Sequence, residues 1–187
     1  MINSWKKHGE RKRLEGLVIN NAIRLRNIEQ DYKIIVSDSS IKNPFVVDAK
    51  LLKVLETYVL PHKSEKKKAY NIFNWIVNNI DYNAPWFLRN LRYGSTEKVL
   101  EEEEAVCVDM AFLYVTMARV SGLRAHVADV TRDFKNKKVC HACAIVKAEG
   151  KTYLADPAYQ IFGIKHKKFR VIDDSEATQY YTGRAKE

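Results

Sequence analysis

Residues 107–130 read CVDMAFLYVTMARVSGLRAHVADV, and this stretch decides the fold. From 108 to 120, valine, methionine, alanine, phenylalanine, leucine and tyrosine follow one another with almost no polar interruption. A helix that is apolar all round is one buried on every side. Gly122 is a natural stop for it, just past the last turn, where a left-handed backbone closes a helix. Beyond Gly122 the pattern changes. Residues 123–130, 139–146 and 151–155 read as strands, and Glu149-Gly150 supplies a hairpin turn between the last two. Phe169-Arg170-Val171-Ile172 adds a further short strand.

Working outward toward the N-terminus, helices dominate. Leu14, Leu17, Val18, Ala22, Leu25 and Ile28 repeat at helical spacing and predict an amphipathic helix over about residues 10–30. Lys33-Ile34-Ile35-Val36 reads as a short strand, and Ser37-Asp38-Ser39-Ser40 with Asn43-Pro44 as loop. Leu51, Leu52, Leu55, Tyr58 and Val59 predict a second helix that ends before Pro61. Ala69, Phe73, Ile76, Val77 and Ile80 share one face of a third. Residues 81–96, with Pro85 and Gly94, read as loop. Helices first and an antiparallel sheet second define an α+β domain. The division expected is a helical extension over 1–65, a core over 66–160 and a C-terminal segment over 161–187, all within one domain.

Composition bounds the function. The chain has 187 residues, 46% hydrophobic and 29% charged, enough apolar material for one real core. With only 7 Gly and 4 Pro, low-complexity and collagen-like chains are excluded. No run of about 18 apolar residues occurs, so no transmembrane helix and no membrane partner are expected. The basic N-terminus is not followed by an apolar run, so no secretory signal is expected either. Three cysteines, Cys107, Cys140 and Cys143, are too few for a disulfide framework and point to a cytoplasmic protein with free thiols. The net charge of +9 raises the question of an anionic partner. The basic clusters lie at 6–13, 63–68, 132–138 and 165–170. None carries a nucleic-acid-reading motif, and charge runs of this kind are ordinarily solvated faces.

Three residues stand out by placement. Cys107 opens the buried helix, where unpaired amides and the helix dipole favour a thiolate, the nucleophilic form of the side chain. His141 lies within one strand of the hairpin and Asp156 ends the other. If Lys147 faces Gly150, His141 stands directly across from Asp156. If Ala148 faces Lys151, the two are diagonal neighbours. Both registers put them on one face of the sheet. A thiol on a helix start, with an imidazole oriented by a carboxylate, is what nucleophilic acyl transfer needs. Cys140-His141-Ala142-Cys143 invites a zinc reading, but in a strand the two thiols point to opposite faces and no second cysteine pair exists. No metal site and no cofactor are expected.

These residues, in this order, resemble the transglutaminase-like superfamily of papain-like cysteine hydrolases. Six segments carry the resemblance, over about residues 66–160. They are residues 70–82 (YNIFNWIVNNIDY), Thr96-Glu97-Lys98-Val99-Leu100, Cys107-Val108-Asp109-Met110-Ala111, Gly122-Leu123-Arg124-Ala125, His141-Ala142 and Asp156-Pro157. The resemblance implies a papain-like fold and amide chemistry through a thioester. Cys107 would be the nucleophile, His141 the general base and acid, and Asp156 the residue that orients His141. The backbone N–H of Cys107 would be one oxyanion donor, with Tyr82, Asn83 and Trp86 as candidates for the second. A peptide or protein substrate and hydrolysis, rather than cross-linking, are expected, because nothing here matches the metal sites of the larger calcium-dependent members. Ala105 stands where the family usually has Gly, Cys143 where it often has Trp, and His126 where it often has Arg. Glu101-Glu102-Glu103-Glu104 would raise the thiol pKa if they faced it. Two other readings stand beside the enzyme: a non-catalytic interaction module with the same fold, and a basic nucleic-acid-binding protein.

Overall fold

The computed structural model describes residues 12–14, 16–18, 20, 21, 24, 35, 36, 44–83 and 96–183. In chain order the elements are β1 (Ile35–Val36), β2 (Val46–Val47), α1 (Ala49–Tyr58), α2 (Glu65–Asn79), β3 (Asp81–Tyr82), α3 (Thr96–Glu102) and β4 (Glu104–Ala105). They continue with α4 (Cys107–Val120), β5 (Arg124–Arg132), β6 (Lys138–Ala148), β7 (Lys151–Asp156), β8 (Ile161–Phe162), β9 (Lys168–Ile172) and α5 (Asp174–Gly183). Where residues 12–24 are described they are helical. The rest of the helix expected over 10–30, and Lys33 and Ile34 of the expected strand, lie outside the described residues.

The architecture is α+β, and α4 is its axis. Every residue from Asp109 to Val120 is buried. Its few polar groups are paired: Tyr114 Oη donates to Ala69 O at 2.9 Å, and Thr116 Oγ1 to Phe112 O at 2.8 Å. Gly122, at φ +84, ends the helix. Gly122 N donates to Arg119 O and Leu123 N to Ala118 O, both at 2.9 Å, the paired bonds of a Schellman stop. The left-handed turn sends the chain directly into β5.

Five strands form an antiparallel sheet in the order β8-β7-β6-β5-β9. Ala148 pairs with Lys151, the second of the two hairpin registers, so Asp156 is a diagonal neighbour of His141. Alternation along β6 divides the apolar interior. Ala144, Val146 and Ala148 join the main core with α4, while Cys143 joins a smaller cluster with Ala128, Val130, Leu154 and Ile164.

The structure differs from the sequence reading at several boundaries. The third helix, for which the sequence pattern gives a face but no start, begins at Glu65, where Ser64 caps it by accepting from Lys67 N at 3.2 Å. Within the segment read as loop, Asp81–Tyr82 pairs in parallel with Glu104–Ala105, and Thr96 already begins α3. Residues 84–95 lie outside the described residues. Helix α5 has no counterpart in the reading, since its pattern is too polar to stand out.

Candidate functional site

Cys107 is the first residue of α4 and is half-buried. Two local features fix its place. The parallel ladder pairs Tyr82 with Ala105 just upstream. Inside the helix, Asp109 reaches back so that Val106 N donates to its Oδ2 at 3.4 Å. The side chain therefore stands at a helix start whose first amides have no intrahelical acceptors.

His141 comes from β6 at a break in its ladder with β5. It pairs with Val130, and the register then shifts before Arg132 meets Lys138. A bulge of this kind bends a strand and re-aims its side chains. His141 Nε2 donates to Asp156 Oδ2 at 2.7 Å, and the Cys107 side chain lies close enough to His141 to help raise its pKa. The imidazole thus has both thiol and carboxylate as neighbours. The phenol ring of Tyr159 stacks on it at 4.6 Å and 17°.

Asp156 ends β7 and is fully buried. A carboxylate in such a place needs donors. Its Oδ1 accepts from Tyr159 N at 3.0 Å, and its Oδ2 accepts from His166 Nε2 at 2.9 Å as well as from His141. His166 was not singled out from the sequence. It lies between β8 and β9 inside a lysine-rich run that reads as solvated, and its only local signal is being an imidazole among lysines. The structure buries it beside Tyr159 and Phe134, with ring centroids 5.7 and 6.5 Å away.

Burial disfavours the His141 imidazolium. The hydrogen bond to Asp156 and the nearness of Cys107, together with their charges, outweigh burial and push its pKa up to about 9. Tyr82 and Tyr159 are both raised, by burial first and then by the site's acidic groups. Burial also pushes the Cys143 thiol well up, as for an inert core cysteine.

The structure therefore brings Cys107, His141 and Asp156 together. Of the candidates for a second oxyanion donor, Tyr82 is half-exposed and close enough to feel Cys107 and Asp156. Asn83 turns its amide to Glu104, Nδ2 donating to Oε2 at 2.6 Å. Trp86 lies outside the described residues. Glu101, Glu102, Glu103 and Glu104 are all exposed, and Glu103 sits 3.5 Å from Lys50. Cys140, near the exposed start of β6, is exposed, and Cys143, on the opposite face, is buried.

His141, Asp156 and His166 also place one donor atom each within 4.8 Å of the others, a set that a transition metal could use. Both histidine nitrogens are already at hydrogen-bond distance from one oxygen. A cation there would have to take the nitrogen that ties His141 to Asp156.

Fold and site together define an α+β, transglutaminase-like architecture with a helix-borne thiol against a strand-borne imidazole and carboxylate. The family model described as transglutaminase-like superfamily matches residues 53–157, and the chain belongs to that superfamily. Among solved structures it is similar to Legionella pneumophila LapG, with a TM-score of 0.54 and 10% identity over 73% of this chain and 84% of that one. It is similar to a TGase at a TM-score of 0.50 and 22% identity, over 80% of this chain and 40% of the other. A candidate cysteine protease from Cytophaga hutchinsonii aligns at 0.46 and 21% identity, over 75% and 51%. At these identities the likeness is one of fold, and the chain spans about half or less of the last two proteins. No curated protein matches the chain. Among the described residues, no helix is long and apolar enough to cross a membrane.

Proposed function

We propose that this chain is a cysteine-dependent amide hydrolase of peptidase type. The observation that carries this reading is a buried imidazole, His141, hydrogen-bonded to Asp156 and with the Cys107 side chain close enough to act on its pKa. In the proposed cycle the Cys107 thiolate attacks the scissile carbonyl carbon, and the C=O pair moves onto oxygen. The backbone N–H of Cys107 donates to that oxyanion. The His141 imidazolium gives its proton to the leaving nitrogen, the C–N bond breaks, and a thioester and a free amine result. Neutral His141 then takes a proton from water, hydroxide adds to the thioester, and the sulfur leaves as thiolate with release of the carboxylic acid. Asp156 keeps the imidazole in the tautomer and orientation that both halves require.

The substrate proposed is a peptide or protein amide, and the setting a reducing cytosol that keeps the thiols free. The test is turnover of a peptide and isopeptide library by the wild-type chain and by Cys107→Ala. Hydrolysis by the first and none by the second is the expected result. Equal turnover by both overturns the reading.

A further inference from the structure

We infer that His166 is a positioning residue: a second, immobile imidazole that pins Asp156 so that the carboxylate holds its place while His141 gains and loses a proton. The inference deepens the hydrolase reading and rests on it, since what His166 positions is the orienting carboxylate.

The geometry is specific. Asp156 Oδ2 accepts from both His141 Nε2 and His166 Nε2, at 2.7 and 2.9 Å. Of these donors, His141 must change partners and protonation state during a cycle. His166 has no such freedom. Its side chain is 0% exposed, walled by Phe134 and Tyr159. The backbone beside it is tied down as well, because Lys167 N donates to Arg132 O at 3.1 Å and to Asp133 O at 3.3 Å. With Tyr159 N on Oδ1 at 3.0 Å, the carboxylate has one stationary donor on each oxygen before His141 is counted. Two fixed points on two oxygens define the carboxylate plane. Tyr159 N alone would leave the group free to follow His141.

The tautomer of His166 follows from its surroundings. Among the described residues Nδ1 is buried with no hydrogen-bond partner, so the proton is assigned to Nε2, where it is donated. A buried nitrogen without a partner is unfavourable. An apolar side chain would fill the same space without that cost. What the apolar side chain would lack is the Nε2 donor, which is the feature Asp156 uses.

The experiment compares His166→Leu with His166→Gln. Leucine keeps the volume and removes the donor, whereas the glutamine amide restores an N–H where Nε2 stood. The readout is the rate of Cys107 alkylation by iodoacetamide at pH 7, resolved by peptide mass and needing no substrate. We expect leucine to slow it about tenfold and glutamine to return it to within about threefold of wild type, a cost in the range set by misplaced catalytic geometry. Circular dichroism confirms that both variants are folded. Wild-type rates in both variants, or equally slow rates in both, overturn the inference, the second because a packing role would not distinguish them. If leucine prevents folding, His166→Asn takes its place, its amide one bond short of Oδ2. Slower alkylation than in the glutamine variant supports the inference, and equality overturns it. His141→Ala separates the two levels. If it leaves Cys107 labelling unchanged, the hydrolase reading itself fails. If it slows labelling and His166→Leu does not, only the role of His166 fails.

Discussion

The two ends of α4 each bury an ion-pairing group, and they do opposite things with it. At the C-terminal end each nitrogen of Arg119 has a partner. Its Nη1 and Nη2 donate to Asp174 at 2.6 and 2.7 Å, its Nε to Ala125 O at 2.9 Å, and its guanidinium lies 4.7 Å over the Phe45 ring. Planar and bidentate, that pair clamps α5 to α4. At the N-terminal end the imidazole of His141 is held by Asp156, and a half-buried thiol lies close to it. A buried charge held at every nitrogen by fixed partners is architecture. One that keeps capacity for a neighbour that can move or react is positioned for chemistry.

Breaking either end should therefore produce a different kind of loss. The largest effect is expected from His141→Ala, which should lower amide hydrolysis by about 10⁴-fold or more, as removal of one member of an interdependent triad does. Steady-state turnover checks this, and a loss under about tenfold would remove His141 from the chemistry. Next is Asp174→Ala, which leaves Arg119 buried without its carboxylate and should cost about 3–5 kcal/mol in urea unfolding. Turnover per folded molecule should be unchanged, which separates the structural end from the reactive one.

The pH response sharpens the contrast. The pKa of His141 is raised from 6.5 to about 9, so the folded state holds this proton more tightly than the unfolded chain. The stability it adds is complete below about pH 6.5 and is lost as pH rises through 9, an effect on the order of 1–3 kcal/mol. Melting temperature should fall over that window in the wild type. Asp156→Asn should flatten the fall. Hydrolysis should decline above about pH 9 too, as His141 loses the proton it gives to the leaving nitrogen. The smallest effect expected is that of chelation: overnight dialysis against EDTA should leave turnover unchanged, since hydrogen bonds alone account for the His141, Asp156 and His166 cluster. A large loss restored by Zn²⁺ would reassign those residues as ligands.

Much of this arrangement is legible in the sequence because it rests on periodicity. The apolar run of α4, its stop at Gly122 and the Glu149-Gly150 turn carry the fold class. The same turn narrows the sheet to two registers, each of which brings His141 and Asp156 to one face. What is not legible is what long-range packing decides. Glu65 begins a helix although its neighbours Lys66, Lys67 and Lys68 look like a solvated run, and the signal was the capping Ser64. Thr96 begins α3 although Pro85 and Gly94 suggest loop up to that point. His166 is the clearest case. It sits in an irregular connection, with no period to reveal its direction, and only the crossing of that connection from β8 at one edge of the sheet to β9 at the other brings it to Asp156. Its basic neighbours Lys165, Lys167 and Lys168 are exposed while His166 is buried, so local composition pointed the wrong way for this one residue.

The most direct test of the central claim compares the three thiols. Cys140 is exposed, Cys107 half-buried and Cys143 buried. Accessibility alone would rank Cys140 first toward iodoacetamide. If the imidazole of His141 activates Cys107, then in the folded protein at neutral pH Cys107 is alkylated first, and His141→Ala removes that priority. Labelling that follows exposure, with Cys140 ahead of Cys107 in the wild type, would contradict the account.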